Sequence, residues 1–396
     1  MRSTYLGPIL TVVLLLALFV TLPAAEGQKT TKAVQAPWSP EKAWTWYKSV
    51  RPIRGCNYLP RTAVNDTEMW QSETFDPKTI DQELGWAEEA GYNSLRVFLQ
   101  YIVWEHDPDG LKKRMGEFLA LANKHGLTVT FVLFDDCAFA GREPYLGKQE
   151  NPIPGVHNSG WVPSPGPQRV TEKRYWPRLK AYVTDLVGSY SSDPRVLAWD
   201  LHNEPGNSGM GDKSLPLLQS AFVWARQAAP TQPLTAGFWS PKLKELNETM
   251  FGESDIITFH AYSDAQSMES TIKELSRHGR PLICTECLRR QVGCTFAAVL
   301  PIFAKYEVQC WLVQLGSGGR KDTDLHVVGL QEGRPHAESM ATRYVPSGRD
   351  AVRSSGNQID TKLAATSGGC PLGPPPMEKA SIPNEQDATA VTRSSS

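Results

Sequence analysis

The chain has no surplus of charge of either sign. Its 41 lysines and arginines face 42 aspartates and glutamates, for a formal net charge of −1. Nucleic acid and anionic membrane surfaces attract clustered positive charge, so neither is expected as the main partner. Histidine is sparse, with eight scattered residues, and no His/Asp ligand cluster of a metal-dependent hydrolase stands out. No metal is therefore expected. A G-x-G-x-x-G and a phosphate-binding glycine loop are both missing, which argues against an open, doubly wound nucleotide-binding sheet. Cysteine is too scarce and odd in number, seven in 396 residues, to lay out a disulfide framework. Cys284 and Cys287 form a C-x-x-C, but their neighbours read as a buried strand, so both are taken as small core residues. Long apolar runs are also lacking, apart from Ile9 to Leu22, which is too short to cross a bilayer comfortably. Arg2 precedes that run, and Pro23-Ala24-Ala25-Glu26-Gly27 follows it with small residues. Residues 1–27 thus read as an export signal, leaving no stable membrane span and placing the mature chain outside the cytoplasm, secreted or periplasmic.

Hydrophobic residues make up 40% of the chain, enough for a sizeable core. Twelve tryptophans and twelve tyrosines supply flat amphipathic rings suited both to a core and to stacking on sugar faces. A β-α rhythm runs through this material. Strands are expected at 53–57, 93–98, 127–134, 196–201, 234–238, 256–260 and 282–285, with helices at 76–90, 111–125, 173–190, 215–228 and 296–306. Asp76-Pro77 is a cap followed by proline at the first helical position. Leu111, Met115, Phe118, Leu119 and Ala122 share one helical face. Leu127 to Phe134 is almost continuously apolar, as in a parallel strand buried on both faces. Seven such units favour a (β/α)8 barrel. The segment 135–172 is rich in glycine and proline and interrupts the rhythm, which marks it as a functional loop. The sequons at Asn65 and Asn247 would matter only in a glycosylating host.

Catalytic groups of such barrels lie at the C-terminal ends of strands, where the loops form the open face. The fourth strand ends in Trp199-Asp200-Leu201-His202-Asn203-Glu204-Pro205, and the seventh in Ile283-Cys284-Thr285-Glu286. An ordinary turn would place Asp, Gly or Ser after the fourth strand, and an ordinary cap would explain Glu286. Two carboxyls from opposite sides of one mouth instead match the pair that cleaves a glycosidic bond. Arg96, Asn203, His260 and Tyr262 fall at further strand ends, where a cation and a phenol would keep one carboxylate ionised and aimed.

The Asn-Glu-Pro after the fourth strand, the Glu after the seventh, the arginine of Asn93-Ser94-Leu95-Arg96 and the His-x-Tyr after the sixth resemble the retaining glycosidase clan that includes glycoside hydrolase family 5. The resemblance covers roughly Trp38 to Tyr306, and its specific part is the two Glu motifs. It implies a retaining β-glycosidase in which Glu204 is the acid/base, Glu286 the nucleophile, and Asn203 a ligand of the sugar 2-hydroxyl. The implied partner is a carbohydrate, a β-linked glycan or its oligosaccharides, and the resemblance implies no cofactor. Trp161, in the long loop, is expected to face the cleft as a sugar platform.

One departure concerns the eighth unit. From about Gln309 the chain turns rich in Ser, Gly, Thr and Pro, and its only later aromatics are Trp311 and Tyr344. Residues 311–324, back-translated with permitted codons and read one base on, give GWYNWGLVAGKTQT, which resembles the family's closing strand and loop. Residues 28–313 are therefore read as the barrel, and 314–396 as an irregular, out-of-frame tail disrupting the eighth unit. A short eighth strand near Val308 to Leu315 is expected. The alternative function is a catalytically weak or inactive carbohydrate-binding barrel, and the nucleotide sequence around codon 309 separates a damaged copy from a selected one.

Overall fold

The computed structural model describes Met1 and residues 35–50, 52–153, 156 and 158–315, with only the backbone described for 312–315. The expectations for the export signal and for the tail beyond 315 lie outside the described residues. Among those described, no helix is long and apolar enough to cross a membrane.

Nine parallel strands form one sheet: β1 (Arg54–Tyr58), β2 (Ser94–Phe98), β3 (Thr128–Asp135), β4 (Val196–Asn203), β5 (Leu234–Thr235), β6 (Gly237–Phe238), β7 (Ile257–Ala261), β8 (Leu282–Cys287) and β9 (Gln309–Leu315). Their order is β5-β4-β3-β2-β1-β9-β8-β7-β6. β5 and β6 are the two halves of the expected fifth strand, interrupted at Ala236, one bonded to β4 and the other to β7. The sheet therefore runs round as a (β/α)8 barrel. The expected eighth strand is β9, and it bonds both β1 and β8. Gly55 makes that closure possible, because a Cβ there would lie 2.2 Å from the Trp311 indole.

Helices follow the strands as an outer layer: α1 (Pro40–Val50), α2 (Asp66–Trp70), α3 (Pro77–Glu89), α4 (Tyr101–His106), α5 (Pro108–Lys124), α6 (Pro167–Thr171), α7 (Trp176–Ser189), α8 (Leu215–Gln227), α9 (Lys244–Glu253), α10 (Ala265–Leu275) and α11 (Phe296–Tyr306). Asp76 caps α3 through the Thr79 N–H, with proline in its first turn, so the expected start holds. α5 begins three residues earlier than Leu111, since Asp107 caps it through the Gly110 N–H. α7 begins after a short 3₁₀ turn rather than at Lys173. The helix α1 was not foreseen. It closes the bottom of the barrel, where Trp38, Tyr47, Ile53, Leu197, Ile256 and Trp311 pack in a cluster separate from the main core. The Tyr47 hydroxyl donates to the Leu282 carbonyl at 3.2 Å, and the Trp38 N–H to Asp255 at 2.7 Å. A sealed bottom leaves the C-terminal strand ends as the face open to a ligand.

The long segment after β3 is not structureless. It contains α6 and returns to the strand end through paired backbone bonds between Asp135 and Ser164, at 2.6 and 2.9 Å. Both sequon asparagines are structural: Asn65 is fully buried, with its amide on Gln149 and the Gly160 carbonyl. Asn247 is also buried and donates to the Ser240 carbonyl. The six described cysteines, including Cys284 and Cys287, are free thiols in the interior.

Candidate active site

Six of the seven side chains expected at the site converge at the open end of the barrel. Arg96 stands in β2 with its side chain fully buried and spends every guanidinium nitrogen on a neighbour. Nε and Nη2 donate to Asp200 Oδ2 at 3.0 and 2.8 Å. Nη2 also donates to Asn203 Oδ1 at 2.6 Å, and Nη1 to Asn57 Oδ1 at 3.0 Å and Glu286 Oε1 at 2.9 Å. A planar fork is the one cationic side chain that can address so many acceptors in fixed directions. Burial alone would weaken its charge, but the Asp200 and Glu286 carboxylates outweigh that and hold its proton more firmly still.

Glu286, near the end of β8, is held from two sides. Arg96 takes one oxygen, and the Tyr262 hydroxyl donates to the other at 2.6 Å. Its side chain remains 18% exposed, so one edge of the carboxylate is open to the cleft. Burial of the hydroxyl, followed by the nearby Glu286 charge, keeps the Tyr262 phenol well above its ordinary range. It is thus a proton-bearing donor at any working pH.

Glu204 follows β4 and turns the chain with a φ of +42°, in the left-handed region. For a residue with a Cβ this costs about 1–2 kcal/mol and is found mainly where function holds it. The Asn207 N–H closes the turn onto the Glu204 carbonyl at 3.0 Å. Its carboxylate takes His260 Nδ1 on Oε1 at 2.6 Å, and the Cys137 thiol on Oε2 at 3.2 Å together with the Asn207 amide. Burial opposes the charge, but the bond and charge of His260, then Cys137 and Asn207, win and hold the carboxyl below its ordinary value. His260 Nδ1 also lies 3.5 Å from Glu286 Oε2. Burial disfavours a charged ring there, yet first Glu286 and then Glu204 raise its affinity for a proton. Gly237 leaves room for this ring, since a Cβ there would stand 3.2 Å from Nε2.

One oxygen of Glu204, one of Glu286 and a ring nitrogen of His260 all lie within 4.8 Å of one another. Among the described residues this is the one group of His, Cys, Asp or Glu tight enough to hold an ion. Its oxygens, however, already accept from N–H, O–H and S–H donors, and the Arg96 cation stands 2.9 Å from Glu286. That donor set suits a hydrogen-bonded carboxylate pair better than a cation.

Asn203 is buried, with Oδ1 on Arg96 and Nδ2 donating to Asp135 Oδ1 at 2.8 Å. Trp161 is the expected residue placed differently. Its ring is half-buried rather than open, edge-on to Phe98 with centroids 5.1 Å apart, and its Nε1–H donates to Asp135 Oδ2 at 2.7 Å. It touches the site through Asp135. Burial raises the Asp135 carboxyl to about 6, against the bonds from Asn203, Cys137 and Trp161. Asn57, Asp135, Cys137, Asp200 and Asn207 were not singled out in the sequence. A signal existed for two of them: Asp135-Asp136-Cys137 stands at the end of β3, and Asp135 is the register partner of Asn203.

Comparison with known proteins adds the family. The model of the cellulase family, glycosyl hydrolase family 5, matches residues 60–292, more than half of the chain. No curated protein matches it. Similar solved structures include a GH5_18 variant from Streptomyces cattleya in complex with Manb1-4GlcNAc, 12% identical over 66% of this chain and 69% of that one, TM-score 0.48. Another is the endo-beta-1,4-mannanase from Thermotoga petrophila, 15% identical over 66% and 68% of the two chains, TM-score 0.46. A third is the exo-beta-1,4-mannosidase Op5Man5 from Opitutaceae bacterium strain TAV5, 17% identical over 66% and 51%, TM-score 0.48. Likeness at this level says nothing of which sugar this chain takes.

Proposed function

The chain belongs to glycosyl hydrolase family 5, and from that premise we propose that it cleaves a β-linked glycan or oligosaccharide with retention, Glu286 attacking the anomeric carbon and Glu204 serving as acid and then base. The reading is supported above all by the closeness of the two carboxylates, an oxygen of each lying within 4.8 Å together with the His260 nitrogen. A retaining pair stands about 5–5.5 Å apart, whereas an inverting pair is spread to leave room for a water. Arg96 and Tyr262 each donate to one Glu286 oxygen and fix its free edge toward the cleft. In the first step Glu286 forms a bond to the anomeric carbon while Glu204 gives its proton to the departing oxygen. In the second, Glu204 takes a proton from water, which displaces Glu286.

Glu204 has to be protonated for the first step, although its donors favour the carboxylate in the free chain. A bound glycan excludes water and adds to the burial that already opposes the charge, shifting Glu204 toward its acid form. Asn203, whose two amide hydrogens go to Asp135 and Cys137 in the free chain, binds the sugar 2-hydroxyl by exchanging the longer bond to the thiol, and Trp161 contributes a ring edge at the rim. In the same reading, residues 1–27 are an export leader, 28–313 the catalytic domain and 314–396 an out-of-frame tail.

The test is a leaving-group comparison. Glu286→Gln should abolish turnover of every substrate. Glu204→Gln should lose at least about a hundredfold on glycosides with poor leaving groups, the size of general acid help, and far less on aryl glycosides with good ones. Equal loss on both would refute the division of roles, and a first-formed product of inverted configuration would refute retention. The alternative, an inactive carbohydrate-binding barrel, predicts binding without turnover by the parent chain.

A further inference from the structure

We propose that Cys137 is a positioning residue for this hydrolysis, its thiol setting the orientation and the proton affinity of Glu204. The proposal rests on the reading of Glu204 as the acid/base. Cys137 stands two residues past β3, buried to 4% exposure. Its own N–H is tied to Asp135 Oδ1 at 2.9 Å, so the side chain has a fixed origin. From there Sγ reaches Glu204 Oε2 at 3.2 Å and lies 3.5 Å from the Asn203 amide nitrogen. The thiol donates its one proton to the carboxylate and accepts from the amide, joining the two residues that β4 presents to the sugar.

A thiol has properties here that a hydroxyl lacks. Burial, then the Asp135 and Glu204 charges, hold it well above its ordinary range. It therefore stays S–H across the working pH and acts as a donor rather than a nucleophile. Sulfur is also a weak donor. It steadies the Glu204 oxygen without holding the carboxylate so firmly that it cannot take up a proton in the first step. His260 from β7 and Asn207 from its own turn supply further bonds to the Glu204 carboxylate. The charged or titratable groups around it are Asp135 from β3, Arg96 from β2, His260 from β7, Tyr262 beyond it and Glu286 from β8.

The sign of the effect follows. Removing a donor to the ionised form makes Glu204 easier to protonate, so the pH at which the acid is lost should rise. Cys137→Ala and Cys137→Ser in the full chain test this, with kcat, which reports the substrate-bound enzyme, followed from pH 4 to 10 on aryl β-glycosides of poor and good leaving group that the parent hydrolyses. For Cys137→Ala, the alkaline fall on the poor leaving group should move up by about half to one pH unit, the range of a weak bond to a charged group. Loss of positioning should also cut kcat on the poor leaving group at least fivefold more than on the good one. Cys137→Ser puts a stronger donor in place of the thiol and should move the alkaline fall back to the parent's position or below it, and it serves alone if the alanine variant does not fold. An alkaline limb and a leaving-group ratio identical to the parent, in a variant that melts normally, would overturn the proposal. If Glu204→Gln itself fails to discriminate between leaving groups, the acid/base reading falls first and this inference with it.

Discussion

Replacing Arg96 with methionine should damage the fold and the site by amounts that can be separated. The guanidinium and its partner Asp200 are both fully buried, 2.8 Å apart. Two of the Arg96 bonds go to Asp200 Oδ2, while Oδ1 of that carboxylate has no partner. Methionine nearly matches the arginine stem in length but leaves Asp200 as a buried charge without its counter-ion. Removing one member of such a pair costs about 3–5 kcal/mol. Glu286 adds less, being partly exposed and still bonded to Tyr262. For a domain of this size, a loss of that order lowers Tm by roughly 5–8 °C. Arg96→Met/Asp200→Leu removes both charges and should recover more than half of the lost Tm. It should recover no turnover, because Glu286 still lacks its guanidinium. Differential scanning calorimetry with activity on one aryl glycoside reads both quantities. A single variant melting with the parent, or a double variant no more stable than the single, would refute the reasoning.

Two further outcomes are expected. Asp66 is buried with one oxygen unpartnered, and burial followed by the Asp135 charge lifts its carboxyl from 3.8 to about 7. The folded state thus keeps a proton that the unfolded chain releases, so this group's contribution falls as pH rises from about 4 to about 7, by at most about 4 kcal/mol. Asp66→Asn should raise Tm at pH 8 and hardly change it at pH 4.5, and an equal gain at both would count against the argument. Asp135→Asn should disturb the Asn203 amide, because its new N–H₂ must face either the Trp161 or the Asn203 donor. The parent's preference for a 2-hydroxy over a 2-deoxy glycoside should shrink at least threefold in that variant; an unchanged ratio would remove Asp135 from the machinery.

Most of the barrel could be read from hydrophobic period, since strands buried on both faces are continuous apolar runs and their helices carry one apolar stripe. β4 illustrates this, with every one of its eight positions buried. The elements that escaped have physical reasons. In α4, the run Tyr101-Ile102-Val103-Trp104 is buried throughout and reads as a continuation of β2. α10 buries only Met268, Ile272 and Leu275 among polar neighbours. α1 lies outside the β-α alternation, and its partners, the start of β8 and the end of α11, are up to 260 residues away, a contact no local pattern announces.

The site was legible where one residue type at a strand end is improbable by default, as with Asn203-Glu204 and Glu286. It was illegible where the meaning lies in convergence. Asn57, Asp135 and Cys137 are ordinary at the end of any strand, and they acquire a role only because parallel register sets Asp135 beside Asn203 and Asn57 beside Arg96. Trp161 was expected as an open platform; in the structure its ring is half-buried edge-on to Phe98 and its indole N–H is committed to Asp135. Charge balance could not be read at all from a nearly neutral chain. Among the described residues, Asp200, Glu204 and Glu286 are paired at the barrel mouth with the cations Arg96 and His260, while Asp135 is already driven to about 6 by burial. When all three carboxylates are charged and His260 is protonated, this cluster carries one negative charge more than it neutralises. Excluding water raises the cost of that excess, and on the proposed reading of Glu204 as the acid/base, a proton taken up there would relieve it.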